Sequence, residues 1–256
     1  QEEKIHCSYR RNKTNSTKFS MIDKNVYIFD IDGTLTPPRQ RINKQFASFF
    51  ASFCSQNAVF LATGSDYKKV KEQITKDIIS KVDGIFTCMG NELWVADQKV
   101  YFKNLKIPAE VNLWLSEQLY QSKYPIEKRG NVHFEHRTGM LNFSIVGRDV
   151  DKNARSEYSC WDKDQKERQK IVKNFNKLFR HHNLEACIGG EISIDIQKTG
   201  SDKGQIFDYL SFYKTKVFFG DKCGPNGNDY SLYQKCEFKF SVDNWLQTAS
   251  ILKNIT

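Results

Sequence analysis

"NVYIFDIDGTLTPPRQ" (residues 25–40) governs how the rest of the chain is read. Its part "VYIFDI" (26–31) is continuous, β-branched and aromatic and gives way to Asp32-Gly33, so it reads as a buried strand ending in two carboxylates, Asp30 and Asp32. Alternate positions of a strand share a face. The pair therefore directs both carboxylates, or one carboxylate and a backbone carbonyl, into one pocket. Two like charges so close require a cation or a shared proton. Mg2+ suits them, because it prefers oxygen ligands and shares its shell with phosphate. An aspartate held there can attack phosphorus and form an aspartyl-phosphate. Asp-Gly alone after a strand is ordinary turn chemistry; the complete run D-x-D-G-T-L favours the functional reading.

Working outward, "RINKQFASFFASFCSQN" (41–57) has helical apolar spacing, and "AVFLATGSD" (58–66) is a second short apolar run closed by Gly-Ser-Asp. "SDYKKVKEQITKDI" (65–78) predicts one helix capped by Ser65 or Asp66, and "VDGIFTCM" (82–89) a third strand. Strands alternating with helices predict an α/β fold with a parallel sheet, whose ligands sit beyond the carboxyl ends of the strands. From about 104 to 199 the texture changes. "VHFEH", "MLNFSIVG" and "EISIDI" alternate as half-buried antiparallel strands, and "DKDQKERQKIVKNFNKLFRHHN" (162–183) predicts one amphipathic helix. After them "TKVFFGDKCGPNGNDYSLY" returns to an apolar strand ending in Gly-Asp. The expected organisation is a discontinuous core, 21–103 plus 200–256, with an inserted α+β module at 104–199. Residues 1–20 are polar throughout and are expected to be a disordered extension.

Other stretches add to the aspartates. In "ATGSD", Thr63 and Ser65 offer hydroxyls, and Gly64 permits close backbone approach to a phosphoryl oxygen. Lys203 in "GSDKGQ" is placed to neutralise charge between nucleophile and phosphate. "FFGDKCGPNGND" supplies Asp221 at a strand end, with Asn228 and Asp229 beyond it, as candidate metal groups.

In this order the residues resemble the haloacid dehalogenase superfamily of phosphotransferases. The resemblance covers nearly everything after residue 21. It implies a Rossmannoid parallel-sheet core with an inserted α+β cap, Asp30 as nucleophile and Asp32 as general acid/base. It also implies Mg2+ held by Asp30, the Asp32 carbonyl and Asp221, supported by Asn228 or Asp229. The inserted segment narrows this further. "PPRQ", "KRGNV", "EHRTGMLNFSIVGR", "GGEISIDI" and "GDKCGPNGNDY" look like the eukaryotic-type phosphomannomutases. That likeness implies a cap that binds the distal phosphate and the sugar hydroxyls through Arg129, Arg137, Arg148, Asn142, Ser193 and Asp195, with Arg39 from the core. It further implies a hexose 1,6-bisphosphate activator, hexose phosphates as substrates, a place in GDP-mannose supply and a homodimer through the cap, for which "VNLWLSEQLYQ" offers an apolar helix face. Three stretches depart from the family. Thr63 stands where typical members carry glycine and matches the usual phosphatase form. "TCMGNELWVADQKV" replaces a "PENG"-type hairpin, and "GPNGND" replaces "MPGGND". These leave open whether sugar or water empties the phosphoenzyme, so a sugar-phosphate phosphatase remains the alternative.

Guanidinium forks bind phosphate bidentately, so neighbouring arginines suit a second phosphate site, although any one of them reads equally as a strand-face ion pair. His133 and His136 read as alternating strand residues, and His181-His182 as a helix end. Net charge is +9 (39 Lys+Arg against 30 Asp+Glu), without the basic–aromatic interleaving that nucleic-acid recognition requires. No apolar run is long enough to span a bilayer. Seven scattered cysteines without C-x-x-C argue against a disulfide framework or a zinc site and suit a reducing, cytoplasmic setting. A catalytically idle binding module is disfavoured by the intact set Asp30, Asp32, Lys203 and Asp221.

Overall fold

A computed structural model describes residues 22–225 and 227–255; the extension expected at 1–20 lies outside the described residues. The chain divides into two compact units, one comprising residues up to Phe102 together with those from Gly200, the other Lys103–Thr199.

The first unit is built on a seven-stranded sheet. Its strands are β1 (Ile22–Phe29), β2 (Ala58–Ala62), β3 (Gly84–Thr87), β4 (Glu92–Val95), β5 (Gln98–Phe102), β10 (Tyr213–Gly220) and β11 (Phe238–Ser241), in the order β11-β10-β1-β2-β3-β4-β5. The pairs from β11 to β3 are parallel, and β4 and β5 extend the edge antiparallel. The chain leaves β1 towards β2 and β3 on one side and returns as β10 and β11 on the other, so the order reverses at β1. A crevice opens beyond strand carboxyl ends at such a reversal.

Alternation along the strands sends consecutive residues to opposite faces. Phe29, Leu61 and Phe219 pack on one face beneath α1 (Lys44–Gln56), α2 (Tyr67–Gln73), α3 (Lys76–Lys81) and α9 (Trp245–Ile255). Ile28, Phe60 and Phe218 pack on the other with α7 (Gln205–Tyr209) and α8 (Tyr230–Lys235). Phe29 stacks on Phe219 at 4.7 Å between centroids, and Phe219 on Phe240 at 4.6 Å, which locks neighbouring strands in register. Burial on both faces explains why "VYIFDI" runs apolar without alternation. The single helix expected over 65–78 is two. Ile74 is extended (φ −103°, ψ 140°), and Thr75 starts α3 by accepting a bond from the Ile78 N–H. Of the two caps proposed for α2, Asp66 is the one used, accepting from the Lys69 N–H at 2.9 Å.

The second unit is a four-stranded antiparallel sheet, order β6-β7-β9-β8, made of β6 (Phe134–Arg137), β7 (Met140–Phe143), β8 (Leu184–Gly189) and β9 (Ser193–Lys198). Leu141, Phe143, Ile194, Ile196, Leu184 and Ala186 bury one face against α4 (Ala109–Gln121), α5 (Lys152–Gln165) and α6 (Glu167–Leu178). The other face is polar. In register across it lie Glu135, Asn142, Asp195 and Cys187. The expected helix 162–183 is broken at Lys166, in the left-handed region (φ 55°). There Asp162 caps α6 by accepting from the Arg168 N–H at 2.9 Å and also pairs with Arg168 Nε at 2.7 Å, both groups buried. Among the described residues no helix is long and apolar enough to cross a membrane.

Candidate active site

Asp30 is the first residue past β1, and its N–H still bonds to Phe219 O of β10 (2.9 Å). The chain then coils tightly: the N–H groups of Thr34, Leu35 and Thr36 all converge on Ile31 O, and the Gly33 N–H reaches Thr36 O (2.8 Å). The turn needs Gly33, which has φ +89°, and a Cβ there would stand 2.4 Å from Asp221 Oδ2. Glycine thus lets the β1 turn close against the aspartate that follows β10.

Lys203 is fully buried, with its Nζ 2.5 Å from Asp30 Oδ1 and 2.6 Å from Asp229 Oδ1. Asp229 Oδ2 accepts from the Lys222 N–H (3.1 Å). Carboxylate oxygens of Asp30, Asp221 and Asp229 all lie within 4.8 Å of one another. The buried Lys203 ammonium and the exposed Lys222 ammonium, 3.8 Å from Asp221 Oδ2, do not balance three carboxylates. Burial pushes Asp30 up to about 7, against the downward pull of Lys203, and Asp229 adds to the rise. Burial raises Asp221 as well. For Lys203 burial works against the charge, but Asp30 and Asp229 outweigh it and hold the ammonium above its ordinary range. Asp221 Oδ1 is buried without a hydrogen-bond partner among the described residues. An orphaned acceptor in an over-acidic, oxygen-only cluster fits a hard divalent cation. Of the metal candidates, Asp229 has both oxygens engaged, by Lys203 Nζ and the Lys222 N–H, whereas Lys203 engages one oxygen of Asp30. Asn228 borders the site through Nδ2, 3.7 Å from where a Cβ on Gly64 would stand.

Asp32 is oriented differently. Its Oδ1 accepts from the Arg39 N–H (2.7 Å) and from Gln73 Nε2 (2.8 Å). Gln73, at the end of α2, is buried and also reaches Thr36 Oγ1 (3.3 Å). The carboxylate is not in the Asp30–Asp221–Asp229 grouping. Arg39 contributes its main chain here, from a left-handed φ of 60°, while the residue itself is exposed.

After β2 the loop Thr63–Gly64–Ser65 is pinned from both sides. The Thr63 N–H bonds Phe86 O (2.9 Å), and Thr63 Oγ1 accepts from the Ser65 N–H (3.0 Å). The Met89 N–H bonds Thr63 O (3.0 Å), and the Cys88 N–H bonds Ser65 O (2.9 Å). Gly64 is exposed at the apex, and a Cβ there would meet Met89 Sδ at 3.2 Å.

On the polar face of the second unit, Glu135 accepts from Arg137 Nε (3.1 Å) and Nη2 (2.9 Å), and from Arg148 Nε (2.8 Å). Arg148 Nη1 continues to Ser193 Oγ (2.8 Å). Beside this chain Asn142 Nδ2 donates to Asp195 Oδ1 (2.5 Å), while Asn142 Oδ1 is buried and unpartnered among the described residues. Burial raises Asp195, and Asn142 opposes the rise. So Arg137, Arg148, Ser193, Asn142 and Asp195 gather on one face. Arg129 is anchored by main-chain carbonyls. Its guanidinium donates to Leu119 O (2.7 Å), Ser122 O (3.0 Å) and Tyr124 O, tying down orphan carbonyls at the end of α4. His133 is also held by the main chain, its Nδ1 lying 2.9 Å from Ser144 O. Three participants escaped the sequence reading: Gln73, Met89 and Glu135. Only Glu135 carries a signal, because it sits two positions before Arg137 on one strand face.

The sequence profile described as eukaryotic phosphomannomutase matches residues 46–256. Phosphomannomutase of Dendrobium officinale is 34% identical over 216 residues, covering 82% of this chain and 84% of that one. Phosphomannomutase 2 of Dictyostelium discoideum is 30% identical over 240 residues, covering 90% and 95%. Among solved structures, an IMP-bound mutant IMP-nucleotidase of Plasmodium falciparum superposes with a TM-score of 0.57 at 16% identity, over 99% of this chain and 76% of that one. Trehalose-6-phosphate phosphatase of Aspergillus fumigatus gives 0.52 at 16% identity, over 100% and 98%. These structures share the chain's α/β architecture, and the sequence match is the narrower one: the chain belongs to the eukaryotic phosphomannomutase family.

Proposed function

We propose that the chain interconverts mannose 6-phosphate and mannose 1-phosphate through an aspartyl-phosphate on Asp30. The observation that carries this is the position of Asp30: buried at the carboxyl end of β1, 2.5 Å from Lys203 and grouped with Asp221 and Asp229. One Asp30 oxygen attacks phosphorus, and the bond from phosphorus to the sugar oxygen breaks. Asp32 gives a proton to that leaving oxygen and later removes one from the hydroxyl that takes the phosphoryl group back. Gln73 and the Arg39 N–H support this role by fixing Asp32 Oδ1, so that the proton is exchanged at Oδ2. Lys203 steadies the charge on Asp30, and the Thr63–Ser65 loop receives the transferring phosphoryl oxygens. Mg2+, when bound, would be held by Asp30, Asp221 and the Asp32 carbonyl, with Asn228 or Asp229 in support, and supplies charge neutralisation and polarisation of the phosphoryl group.

The non-reacting phosphate is assigned to Arg137, Arg148 and Ser193. Asp195 and the unpartnered Asn142 Oδ1 are assigned to sugar hydroxyls. Arg129 and Arg39 complete the proposed substrate contacts; the Arg129 guanidinium is also anchored on Leu119 O and Ser122 O, and Arg39 is exposed. A hexose 1,6-bisphosphate is the expected activator, since it loads Asp30. The same reading includes a homodimer through α4, on which Leu113 and Tyr120 are exposed, no nucleic-acid or membrane partner, and a cytoplasmic setting in which the six described, unpaired cysteines stay reduced. Thr63 favours one second reading, hydrolysis of the phosphoenzyme, since it is the phosphatase form of the loop.

One incubation separates the two. The protein is given mannose 1-phosphate, Mg2+ and a trace of hexose 1,6-bisphosphate, and mannose 6-phosphate and free phosphate are followed together. The expected outcome is isomer with little phosphate; phosphate without isomer contradicts transfer and establishes the hydrolase.

A further inference from the structure

The strained turn after β3 has no counterpart in the roles assigned so far. Cys88, Met89 and Gly90 are all left-handed, with φ of 50°, 62° and 88°. Two successive non-glycine residues in that region are disfavoured, and such strain persists only where surrounding contacts over-determine it. Here they do. The N–H groups of Cys88 and Met89 hold Ser65 O and Thr63 O, and Met89 O accepts from Gln205 Nε2 (2.8 Å). Gln205 lies two residues after Lys203. The turn therefore joins the phosphate loop to the segment carrying the buried lysine.

The Met89 side chain is half-buried, and its Sδ lies 3.2 Å from the position a Gly64 Cβ would occupy, with Asn228 Nδ2 on the same side at 3.7 Å. An apolar thioether thus flanks the exposed apex of the loop at the edge of the metal-candidate residues. We propose that Met89 is a positioning and specificity residue: it fixes the Thr63–Ser65 loop and keeps water from the phosphoryl group, setting the division between transfer to a sugar and hydrolysis. The inference rests on the transfer reading above. In transfer a sugar hydroxyl oxygen bonds to phosphorus as the bond to the Asp30 oxygen breaks, and the hydroxyl proton goes to Asp32. In hydrolysis a water oxygen makes the same bond and loses its proton the same way. Asp30 departs as a carboxylate in both. The two outcomes differ only in which oxygen reaches phosphorus, which is what a side chain over the loop controls.

Three variants test it in the one-tube assay, with melting temperature measured alongside. Met89→Asn suits the left-handed backbone and removes the thioether, so its melting temperature should hold or rise while the isomer-to-phosphate ratio drops roughly tenfold to a hundredfold. Met89→Ala keeps the strain, should melt no higher than wild type, and should show the same drop. Met89→Leu keeps an apolar cover and should keep the wild-type ratio. A ratio unchanged in both Met89→Asn and Met89→Ala overturns the proposal, as does a ratio that merely follows the melting temperature across the three. Wild-type protein that isomerises beside variants of unchanged ratio contradicts the cover alone. Wild-type protein that only releases phosphate contradicts the transfer reading and the cover with it.

Discussion

Glu135 shows how one carboxylate organises a binding face. Between Arg137 and Arg148 it relieves the repulsion of two guanidiniums and fixes the plane of each. The hydrogen bond from Arg137, helped by Arg148, holds its pKa below the ordinary 4.5. A carboxyl whose folded value is depressed stabilises the fold above its unfolded value, and that contribution is lost as pH falls through the folded one. Glu135→Gln should therefore melt below wild type at every pH above 4.5, and the gap should close only below it. Melting curves across pH decide this; a gap that never opens, or closes above 4.5, contradicts the bridging role. At this scale the sequence is legible where chemistry travels in runs. Asp30, Asp32, Thr63 and Lys203 all lie in short diagnostic strings, and the pairing of Asp30 with Lys203 across 173 positions follows from the fold the strings imply. Gln73 and Met89 carry no such string, because a buried amide and a thioether acquire meaning only from what they touch. Arg129 shows the converse: an arginine in a phosphate-binding string also bonds to carbonyls when a helix ends beside it.

The break between α5 and α6 is an element-scale event. Locally "DKDQKERQKIVKNFNKLF" is helical in charge and spacing, so the sequence alone runs one helix through it. The interruption comes from Asp162 and Arg168 meeting in the interior, with Arg168 Nη1 also donating to Gly190 O and Ser193 O (3.2 Å each). Those carbonyls precede and begin β9, so the helix break and the placement of Ser193 share one buried guanidinium. Arg168→Met leaves Asp162 buried without its cation and should cost about 3–5 kcal/mol of stability. Urea unfolding measures it. A loss below about 1 kcal/mol, the level of an exposed pair, would show that the pair does not hold the junction.

At the scale of the whole molecule the discontinuous core is the decisive feature. An apolar strand ending in Gly-Asp after a long alternating stretch announces that the chain returns to its first sheet, and β10 does pair with β1, bringing Asp221 against Gly33. Strand order and the reversal at β1 depend on pairings far apart in sequence and were not readable from local periodicity. The most direct test of the account is where the phosphoryl group resides. The protein is mixed with hexose 1,6-bisphosphate and Mg2+, quenched in acid, cleaved and examined by mass spectrometry. The account predicts one phosphoryl group on the peptide containing Asp30, absent in Asp30→Asn; a phosphoryl group on another residue, or turnover by an Asp30→Asn protein, would contradict it.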